Sequence, residues 1–291
     1  MGELPPPGKF LQLVRIGLCA TKDGMETEWV WLDGEVMPAV DARVRANSPG
    51  FMLGLGVFET LLWRDGGPAV LSRHWRRLSS GLSRLRLPPV PEGIMRDALA
   101  QVYAASAPAR KRLRFTVYLG SAGSLHLLAT CTEPTKWPEV ESVMVSSWKH
   151  NEHSPLVGIK CTSYAANWMA HREAVAAGFG EALLLNTKDQ VCEGTGSNLF
   201  MVTASGDLIT PPLSSGCLPG VTREIVLEAL PTASERSVHL HDLATCSEMF
   251  LTSSTRGVQP VGWVDGVAVP VVNGKWTQAA REGLMTLLHK P

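Results

Sequence analysis

Short apolar runs, each bounded by a turn rich in Gly, Asp or Pro, recur along this chain and limit the folds that it can adopt. Residues 30–32 run into Asp33 and Gly34, a dipeptide favoured in hairpin turns, and residues 57–63 run into a Gly-rich turn. Residues 68–71 then read as a returning strand. These alternating apolar runs and turns predict a β-meander at the start of the folded region.

Helical periodicity follows the meander. The leucines of segment 73–86 recur at i, i+4 and i+7, the apolar stripe of an amphipathic helix, and a Pro-Pro pair stops it. A second helix is predicted over 92–106, and strands over 112–119 and 125–130. The first half of the chain is therefore predicted to be α+β.

Two polar, Pro-containing segments at 133–138 and 151–155 are typical of a connection between domains. We therefore predict a tail of unknown role at 1–27, a small α+β domain at 28–150 and a larger domain at 151–291. In the larger domain strands and helices alternate. The predicted helices there span 164–177 and open at Thr222, and the predicted strands span 181–186, 199–202, 208–209 and 249–252.

The charge balance limits the possible partners. Lys plus Arg and Asp plus Glu number 27 each, so no large field exists to attract nucleic acid or an acidic membrane surface. No stretch approaches the roughly 20 apolar residues of a membrane span. We expect a cytoplasmic protein with a small-molecule amine or amino-acid substrate, no nucleic-acid partner and no membrane partner.

The cysteines indicate neither a disulfide scaffold nor a zinc site. No Cys-x-x-Cys pair occurs among the six, which are Cys19, Cys131, Cys161, Cys192, Cys217 and Cys246. We expect reduced thiols and no metal. Near the N-terminus, the apolar stretch at 10–20 is interrupted by Gln12 and Arg15, so it is a poor match to a cleaved signal.

Three features in the second half carry candidate chemistry. Lys160 follows an apolar pair, and Glu193 opens a run of small residues before an apolar strand. Gly220, Val221 and Thr222 would open a helix, whose unpaired N–H groups, hydroxyl and dipole favour an anion such as phosphate. Taken singly, Lys160 could be an ordinary strand-end lysine with its ammonium in water, and Thr222 could be a plain N-cap.

Considered together, six ordered segments carry a family resemblance. They lie at 54–60, 74–78, 160–184, 193–200, 218–223 and 250–261. In order and spacing they resemble the class IV aminotransferase family, the fold-type IV pyridoxal 5'-phosphate (PLP) enzymes. This family includes branched-chain aminotransferases, D-amino-acid aminotransferases and aminodeoxychorismate lyases. The resemblance covers about residues 28–285.

The resemblance implies a fold, an assembly and a cofactor. The fold is a mixture of α+β and α/β, with a smaller α+β N-terminal domain and a larger C-terminal domain that has a barrel-like sheet and helices. The implied assembly is a homodimer with PLP in the cleft between the two domains. A neighbouring subunit would contribute to the substrate pocket.

The same resemblance implies roles around the pyridine ring. Lys160 matches the lysine that forms the Schiff base with PLP and then shuttles the substrate proton. Glu193 matches the carboxylate that keeps the pyridine nitrogen protonated, so that the ring acts as an electron sink. Tyr164 matches a hydroxyl that approaches the phenolic oxygen of PLP. Leu218 would pack on the ring face.

The cofactor phosphate would be held by a second group of residues. Arg77, a member of a basic helix cluster, matches the phosphate arginine, whose planar guanidinium can grip phosphate by two N–H groups. The other implied phosphate ligands are Gly220, Val221, Thr222, Ser253 and Ser254.

The reaction is a separate question, because transamination and lyase chemistry share all of these residues. Branched-chain aminotransferases carry Tyr and Arg where this chain has about Leu53 and Leu62. D-amino-acid aminotransferases carry an Arg-x-His pair, of which only His126 is present. Segment 54–60, which includes Phe58, and Arg256 after the Ser-Thr stretch match aminodeoxychorismate lyases better.

We therefore expect Phe58, His126 and Arg256 near the substrate, with Arg256 pairing with a substrate carboxylate. The favoured hypothesis is an aminodeoxychorismate lyase that converts 4-amino-4-deoxychorismate to 4-aminobenzoate and pyruvate. The alternative is an amino-acid transaminase of the D-amino-acid or branched-chain type with a 2-oxo acid acceptor. A more remote alternative is a non-catalytic PLP-binding protein.

Overall fold

A computed structural model describes residues 28–288, which form two β-sheets and the helices packed on them. The predicted tail at 1–27 and Cys19 lie outside the described residues. The strands of the first sheet are β1 (Trp29–Leu32), β2 (Glu35–Pro38), β3 (Gly56–Arg64), β4 (Gly67–Pro68), β5 (Arg112–Leu119) and β6 (Leu125–Thr132). The helices in the same part of the chain are α1 (Pro49–Met52), α2 (Leu71–Arg84) and α3 (Glu92–Ala105).

The first sheet is antiparallel throughout, in the order β2-β1-β6-β5-β3-β4. Buried side chains of α2 and α3 pack with it around one core that includes Leu78, Leu99 and Phe115. The α+β prediction for this half is confirmed. The predicted strand at 68–71 is wrong beyond Pro68, because Val70 has a left-handed backbone (φ 45°) that ends the strand and leads into α2.

The second sheet contains the remaining strands. They are β7 (Glu141–His150), β8 (Glu181–Asn186), β9 (Val191–Gly194), β10 (Asn198–Val202), β11 (Leu208–Thr210), β12 (Ser234–Glu235), β13 (Glu248–Ser253), β14 (Gly257–Val264) and β15 (Val267–Ala268). Its helices are α4 (Ala165–Ala176), α5 (Val221–Ala229), α6 (Leu240–Thr245) and α7 (Lys275–Leu288).

The second sheet mixes parallel and antiparallel pairs in the order β12-β11-β10-β13-β14-β7-β8-β9, with β15 on β14. β7 is parallel to both β8 and β14. At the end of the path a tight turn, closed by the Gly194 N–H and the Ser197 carbonyl at 2.8 Å, brings β9 back beside β10. The sheet is therefore curled, in agreement with the barrel-like sheet that the resemblance implies.

The chain crosses between the sheets twice near its middle. β7 pairs only within the second sheet, so residues 141–150 belong there and the first crossing lies at 133–140, before the boundary that the sequence predicts. After β7 the chain returns to β3. The Phe58 N–H donates to the Lys160 carbonyl at 2.9 Å, and the Thr162 N–H donates to the Gly56 carbonyl at 2.9 Å. This return holds Lys160 between the two sheets.

Gly54 allows this return to fit. Its backbone is left-handed (φ 65°), and a Cβ there would lie 2.4 Å from Ser163 Oγ. Its carbonyl accepts the Thr162 hydroxyl at 2.7 Å. A side chain at this position would therefore push the Lys160 segment away from β3.

The second sheet is covered by α5 and α7 over a core in which the rings of Phe200 and Phe250 stack 5.1 Å apart. No helix between residues 28 and 288 is long and apolar enough to cross a membrane. The five cysteines in this range are buried free thiols.

Candidate active site

A cleft of about 600 Å³ lies where the two sheets meet. Its walls come from β3 and β5 of the first sheet, the Lys160 segment, the turn between β9 and β10, and the start of α5. Most of the predicted site residues line it. They are Phe58, Arg77, Lys160, Tyr164, Glu193, Leu218, Gly220, Val221, Thr222, Ser253 and Ser254.

Lys160 presents its amine to this cleft. Nζ lies 4.5 Å from the centroid of the Phe58 ring and 5.5 Å from that of the Tyr164 ring, and no described residue lies within hydrogen-bonding distance of it. Burial, followed by the nearby Arg77 charge, lowers the pKa of Lys160 to about 8. A substantial fraction of the amine is therefore neutral and nucleophilic near neutral pH.

Glu193 is a buried carboxylate with one oxygen already satisfied. Oε2 accepts the Leu218 N–H at 2.9 Å and the Asn198 side-chain amide at 3.1 Å. Burial raises the pKa of Glu193 to about 7. Its second oxygen has no donor among residues 28–288, so a cationic N–H in the cleft would complete the carboxylate.

The start of α5 confirms the predicted helix opening. The first helical hydrogen bond runs from the Glu224 N–H to the Gly220 carbonyl at 2.8 Å, so the N–H groups of Val221 and Thr222 precede it and remain outside the helical ladder. A Cβ at Gly220 would lie 1.9 Å from Asn198 Oδ1, so only glycine fits there. The helix end can bind an oxyanion.

Arg77 lies in the cleft, but most of its guanidinium is occupied. Nε and one terminal nitrogen bind the two oxygens of Glu59 at 2.8 and 2.6 Å, and the other terminal nitrogen donates to the Pro219 carbonyl at 3.1 Å. Burial alone would raise the pKa of Glu59, but the Arg77 charge and hydrogen bonds lower it to about 2. The expected contact between Arg77 and phosphate stays a prediction.

Tyr164 and the two serines have specific partners. The Tyr164 hydroxyl donates to the Thr195 carbonyl at 2.8 Å, and the ring meets Phe58 edge-on at 5.5 Å. Ser253 Oγ accepts the Arg256 N–H at 3.2 Å, and Ser254 Oγ lies 3.3 Å from His74 Nε2.

Two of the three predicted substrate residues lie away from the cleft. Phe58 lines it, but His126 pairs with Asp33 at 2.6 Å and stacks on Tyr118, outside the cleft of its own chain. The position of Arg256 gives no support to the expected pairing with a substrate carboxylate, which stays a prediction. Its side chain is 2% exposed and already ion-paired with Glu141 at 2.8 Å and with Glu181 at 2.7 Å.

The structure adds residues that the sequence did not single out. Arg112 and Arg114 line the cleft from β5, and the Arg114 guanidinium lies 3.6 Å from the centroid of the Phe58 ring. Burial lowers the pKa of Arg114 to about 10. Alternate residues of a strand face the same side, so the Arg-x-Arg spacing could have indicated a shared face. Asn198 donates a hydrogen bond to Glu193 and leaves no space for a side chain at position 220, but no pattern in the sequence indicated these contacts.

These residues fit PLP by the chemistry of their groups. One cleft is surrounded by a helix N-terminus and by two groups that have donors or acceptors left over within residues 28–288, namely an amine without a hydrogen-bond partner and a carboxylate with one oxygen available. They match a phosphate, an aldehyde and a protonated pyridine nitrogen, respectively.

Residues 56–263 match the family model for amino-transferase class IV, and the chain belongs to this family. A putative branched-chain-amino-acid aminotransferase of Methanocaldococcus jannaschii is 29% identical over 84% of this chain and 90% of its own length. The structure of a branched-chain aminotransferase from Thermoproteus uzoniensis with norvaline is 28% identical (TM-score 0.82), over 90% of this chain and 95% of that chain.

A hypothetical aminotransferase from Mycobacterium tuberculosis, in a PLP-bound form, has the same fold at 23% identity (TM-score 0.80), over 90% of this chain and 99% of that chain. These similarities extend across both sheets, since the family match alone runs from β3 into β14. The likeness therefore covers the cleft as well as the core.

The position of Arg256 gives a stability prediction. Arg256→Met leaves Glu141 and Glu181 buried without their cation, which costs about 3–5 kcal/mol. Urea unfolding should show this loss. Arg236→Met is the matched control, since Arg236 is 51% exposed and lies 4.0 Å from Asp207, and it should change stability by less than about 0.5 kcal/mol. Unchanged unfolding for Arg256→Met would contradict the structural role.

Proposed function

We propose that this chain is a PLP-dependent aminotransferase that moves an amino group between an amino acid and a 2-oxo acid. The observation that carries the proposal is Lys160. Its amine faces the cleft without a hydrogen-bond partner among the described residues, in the same space as the Glu193 carboxylate and the start of α5. A non-catalytic PLP-binding protein would have no need for an amine with a lowered pKa in this position.

Each residue of the cleft would have a separate role in the reaction. PLP, when bound, supplies an aldehyde and an electron-withdrawing ring. Lys160 would present a neutral amine to the aldehyde and would hold or release a proton at Nζ. Glu193 would accept a hydrogen bond from the ring N–H, and the Val221 and Thr222 N–H groups would hold the phosphate. The Tyr164 hydroxyl, which donates to the Thr195 carbonyl, presents its oxygen to the cleft.

The substrate proposal rests on the cations of the cleft. No carboxylate forms an ion pair with Arg112 or Arg114 within the described part of the chain, unlike Arg77 and Arg256. A substrate carboxylate would therefore neutralise Arg114 beside Phe58. The apolar wall at Leu156, Val157 and Ile159 suits an aliphatic side chain. We infer an aliphatic amino acid of the branched-chain type.

The names of the relatives support this substrate class over the aminodeoxychorismate lyase that the sequence favoured. The ion pairs of Arg256 weaken one of the two features that favoured the lyase. Two substrate residues of branched-chain aminotransferases, a Tyr and an Arg, are nevertheless replaced here by Leu53 and Leu62. Leu53 is 66% exposed and Leu62 faces a separate cleft, so Arg114 takes the place of a missing cation in this proposal.

The homodimer and the cytoplasmic location remain proposals. His126 sits beside the hairpin turn at 121–123, outside its own cleft. In a homodimer this turn could reach the partner's cleft, which would reconcile the position of His126 with a role near substrate.

The cofactor assignment can be tested by labelling. PLP added to the full chain and reduced with borohydride should become attached at Lys160, as found by peptide mass spectrometry. Lys160→Ala should lose the label. Lys188→Ala, at an exposed turn, is the matched control and should keep it. A label that survives in Lys160→Ala would overturn the assignment.

The lowered pKa of Lys160 gives a pH prediction. The neutral amine is the reactive form, so the rate of PLP attachment should rise about tenfold per pH unit below the pKa of about 8 and level off above it. Rapid-mixing absorbance measures this rate. A free lysine derivative is the control, since its rate should keep rising to about pH 10. The same late rise in the protein would show that burial does not lower the pKa of Lys160.

The reaction can be decided by product analysis. The PLP-loaded chain should convert L-leucine or L-valine to the 2-oxo acid, and Arg114→Met should lower kcat/KM for this reaction roughly 10- to 100-fold through the lost charged hydrogen bonds. Arg96→Met, on the exposed face of α3, is the control. A preference for D-amino acids would contradict the branched-chain proposal. Formation of 4-aminobenzoate and pyruvate from 4-amino-4-deoxychorismate would establish the lyase instead.

A further inference from the structure

His74 lies behind the cleft, in a chain of polar groups. Its side chain is 1% exposed. Nδ1 lies 2.6 Å from Glu59 Oε2, and Nε2 lies 3.3 Å from Ser254 Oγ. The ring therefore joins a buried carboxylate to a hydroxyl that lines the cleft together with the start of α5.

The carboxylate fixes one proton of this ring. The pKa of Glu59 is about 2, so Glu59 is ionised at neutral pH and can only accept hydrogen bonds. Nδ1 of His74 must therefore carry a proton and donate it to Glu59. The open question is whether Nε2 carries a second proton.

That second proton decides what Ser254 can offer. With neutral His74, Nε2 is an acceptor, so the Ser254 hydroxyl donates its only hydrogen to the ring and presents lone pairs to the cleft. With protonated His74, Nε2–H donates to Ser254 Oγ, and the hydroxyl hydrogen is free to point into the cleft. Only the second arrangement makes Ser254 a donor to an oxyanion.

We propose that His74 is a positioning residue that takes up a proton when an oxyanion binds at the start of α5, and thereby turns the Ser254 hydroxyl toward that oxyanion. The inference rests on the proposed function, in which the oxyanion is the cofactor phosphate. One proton passes from solvent to Nε2, so an N–H bond forms as an O–H bond of hydronium or a buffer acid breaks, and no bond between heavy atoms changes.

The charges around His74 determine whether oxyanion affinity rises or falls with pH. Glu59 faces it from β3, Arg77 from α2 and Lys160 from the connecting segment. The smaller cleft that reaches the ring also holds the hydroxyls of Thr222 and Ser254 and three further cations, Arg64 of β3, Arg256 of the turn after β13 and Arg281 of α7. Burial lowers the pKa of His74, Arg77 and Lys160 lower it further, and Glu59 raises it. An added oxyanion favours the protonated ring, so oxyanion affinity is highest at low pH and falls as pH rises through the pKa of the bound state.

Protons have their own route to this ring. A second cleft of about 260 Å³ reaches His74, Thr222 and Ser254 from the side of α7, between Val70 and Arg281. His74 can therefore exchange protons with solvent without passing the substrate.

Sulfate is the probe for this proposal, because it has no proton to exchange near neutral pH. Its affinity for the full chain freed of PLP should weaken by about tenfold or more between roughly pH 5 and pH 7.5, the scale of a charge-assisted hydrogen bond. Calorimetry in two buffers of different ionisation enthalpy should show net proton uptake on sulfate binding. Lys160, whose pKa is about 8, is mostly charged over this pH range, but Glu193, whose pKa is about 7, titrates within it. A Glu193→Gln chain is therefore measured beside the wild type and should keep the proton uptake.

Two variants distinguish the contribution of His74 to sulfate binding from that of Ser254. His74→Gln removes the His74 titration, and combined with Glu193→Gln it should give a sulfate affinity nearly independent of pH over this range. Ser254→Ala keeps the His74–Glu59 contact but removes the hydroxyl, and should bind sulfate about tenfold more weakly with reduced proton uptake. His241→Gln is the matched control, because His241 is 76% exposed on α6, and it should keep the wild-type profile.

The outcomes are distinguishable from those of the cofactor tests. Sulfate binding without proton uptake by the wild-type chain would overturn the role of His74 and leave the cofactor assignment intact. Failure of sulfate to bind at all would overturn the oxyanion site at α5, and this inference with it. Calorimetry of the wild-type and Glu193→Gln chains decides the proposal even if His74→Gln does not fold, because uptake that is lost in Glu193→Gln would belong to Glu193 and overturn the role of His74.

Discussion

The backbone pairing between β3 and the segment at 160–162 is the contact on which the site depends. Two residues of a connecting segment, Lys160 and Thr162, bond to β3 of the first sheet on either side of Cys161, although β7, which precedes them, belongs to the second sheet. Backbone hydrogen bonds fix position more firmly than a side-chain contact, because both dihedrals of each residue are held. Lys160 is therefore held at the junction of the sheets, and Phe58, whose N–H makes one of these bonds, is placed under its amine.

Around this junction the chain arranges buried charges so that most are paired. Arg77 neutralises Glu59, and Arg256 bridges Glu141 and Glu181. Leaving a buried charge alone is costly, so the groups without a charged partner identify where something else must bind. By this criterion Lys160 and Arg114 mark one cleft, whereas in the smaller cleft behind Ser254 the Arg256 and Arg281 guanidiniums have partners within the chain.

Much of the fold could be predicted from the sequence, since local periodicity determines it. Alternation and turn residues located β1, β3, β5 and β8, and apolar spacing located α2 and α3. The same reasoning could not assign β7 to a sheet. Polar, Pro-containing segments mark loops on both sides of β7, but strand pairing joins residues far apart in sequence, and local pattern carries no information about it.

The site was predicted to a similar extent, and the differences between prediction and structure have one physical cause. Residues that carry a recognisable motif lie in the cleft, while Arg256, assigned from its place after a Ser-Thr stretch, turns away from it. Its partners Glu141 and Glu181 are 115 and 75 residues distant. The direction of a single side chain depends on such distant neighbours, so sequence position alone could not provide it.

The contrast between Arg256 and Arg114 bears on how substrate choice arises on this fold. Both guanidiniums lie over an aromatic ring, Trp137 and Phe58 respectively, so stacking does not distinguish them. The two arginines differ in the number of carboxylates that form ion pairs with them. The chain gives two to Arg256 and none, among the described residues, to Arg114. A cation satisfied within the protein stabilises the fold, and one left unsatisfied selects an anionic ligand, so the buried carboxylates that the chain places beside each Arg decide between the two roles.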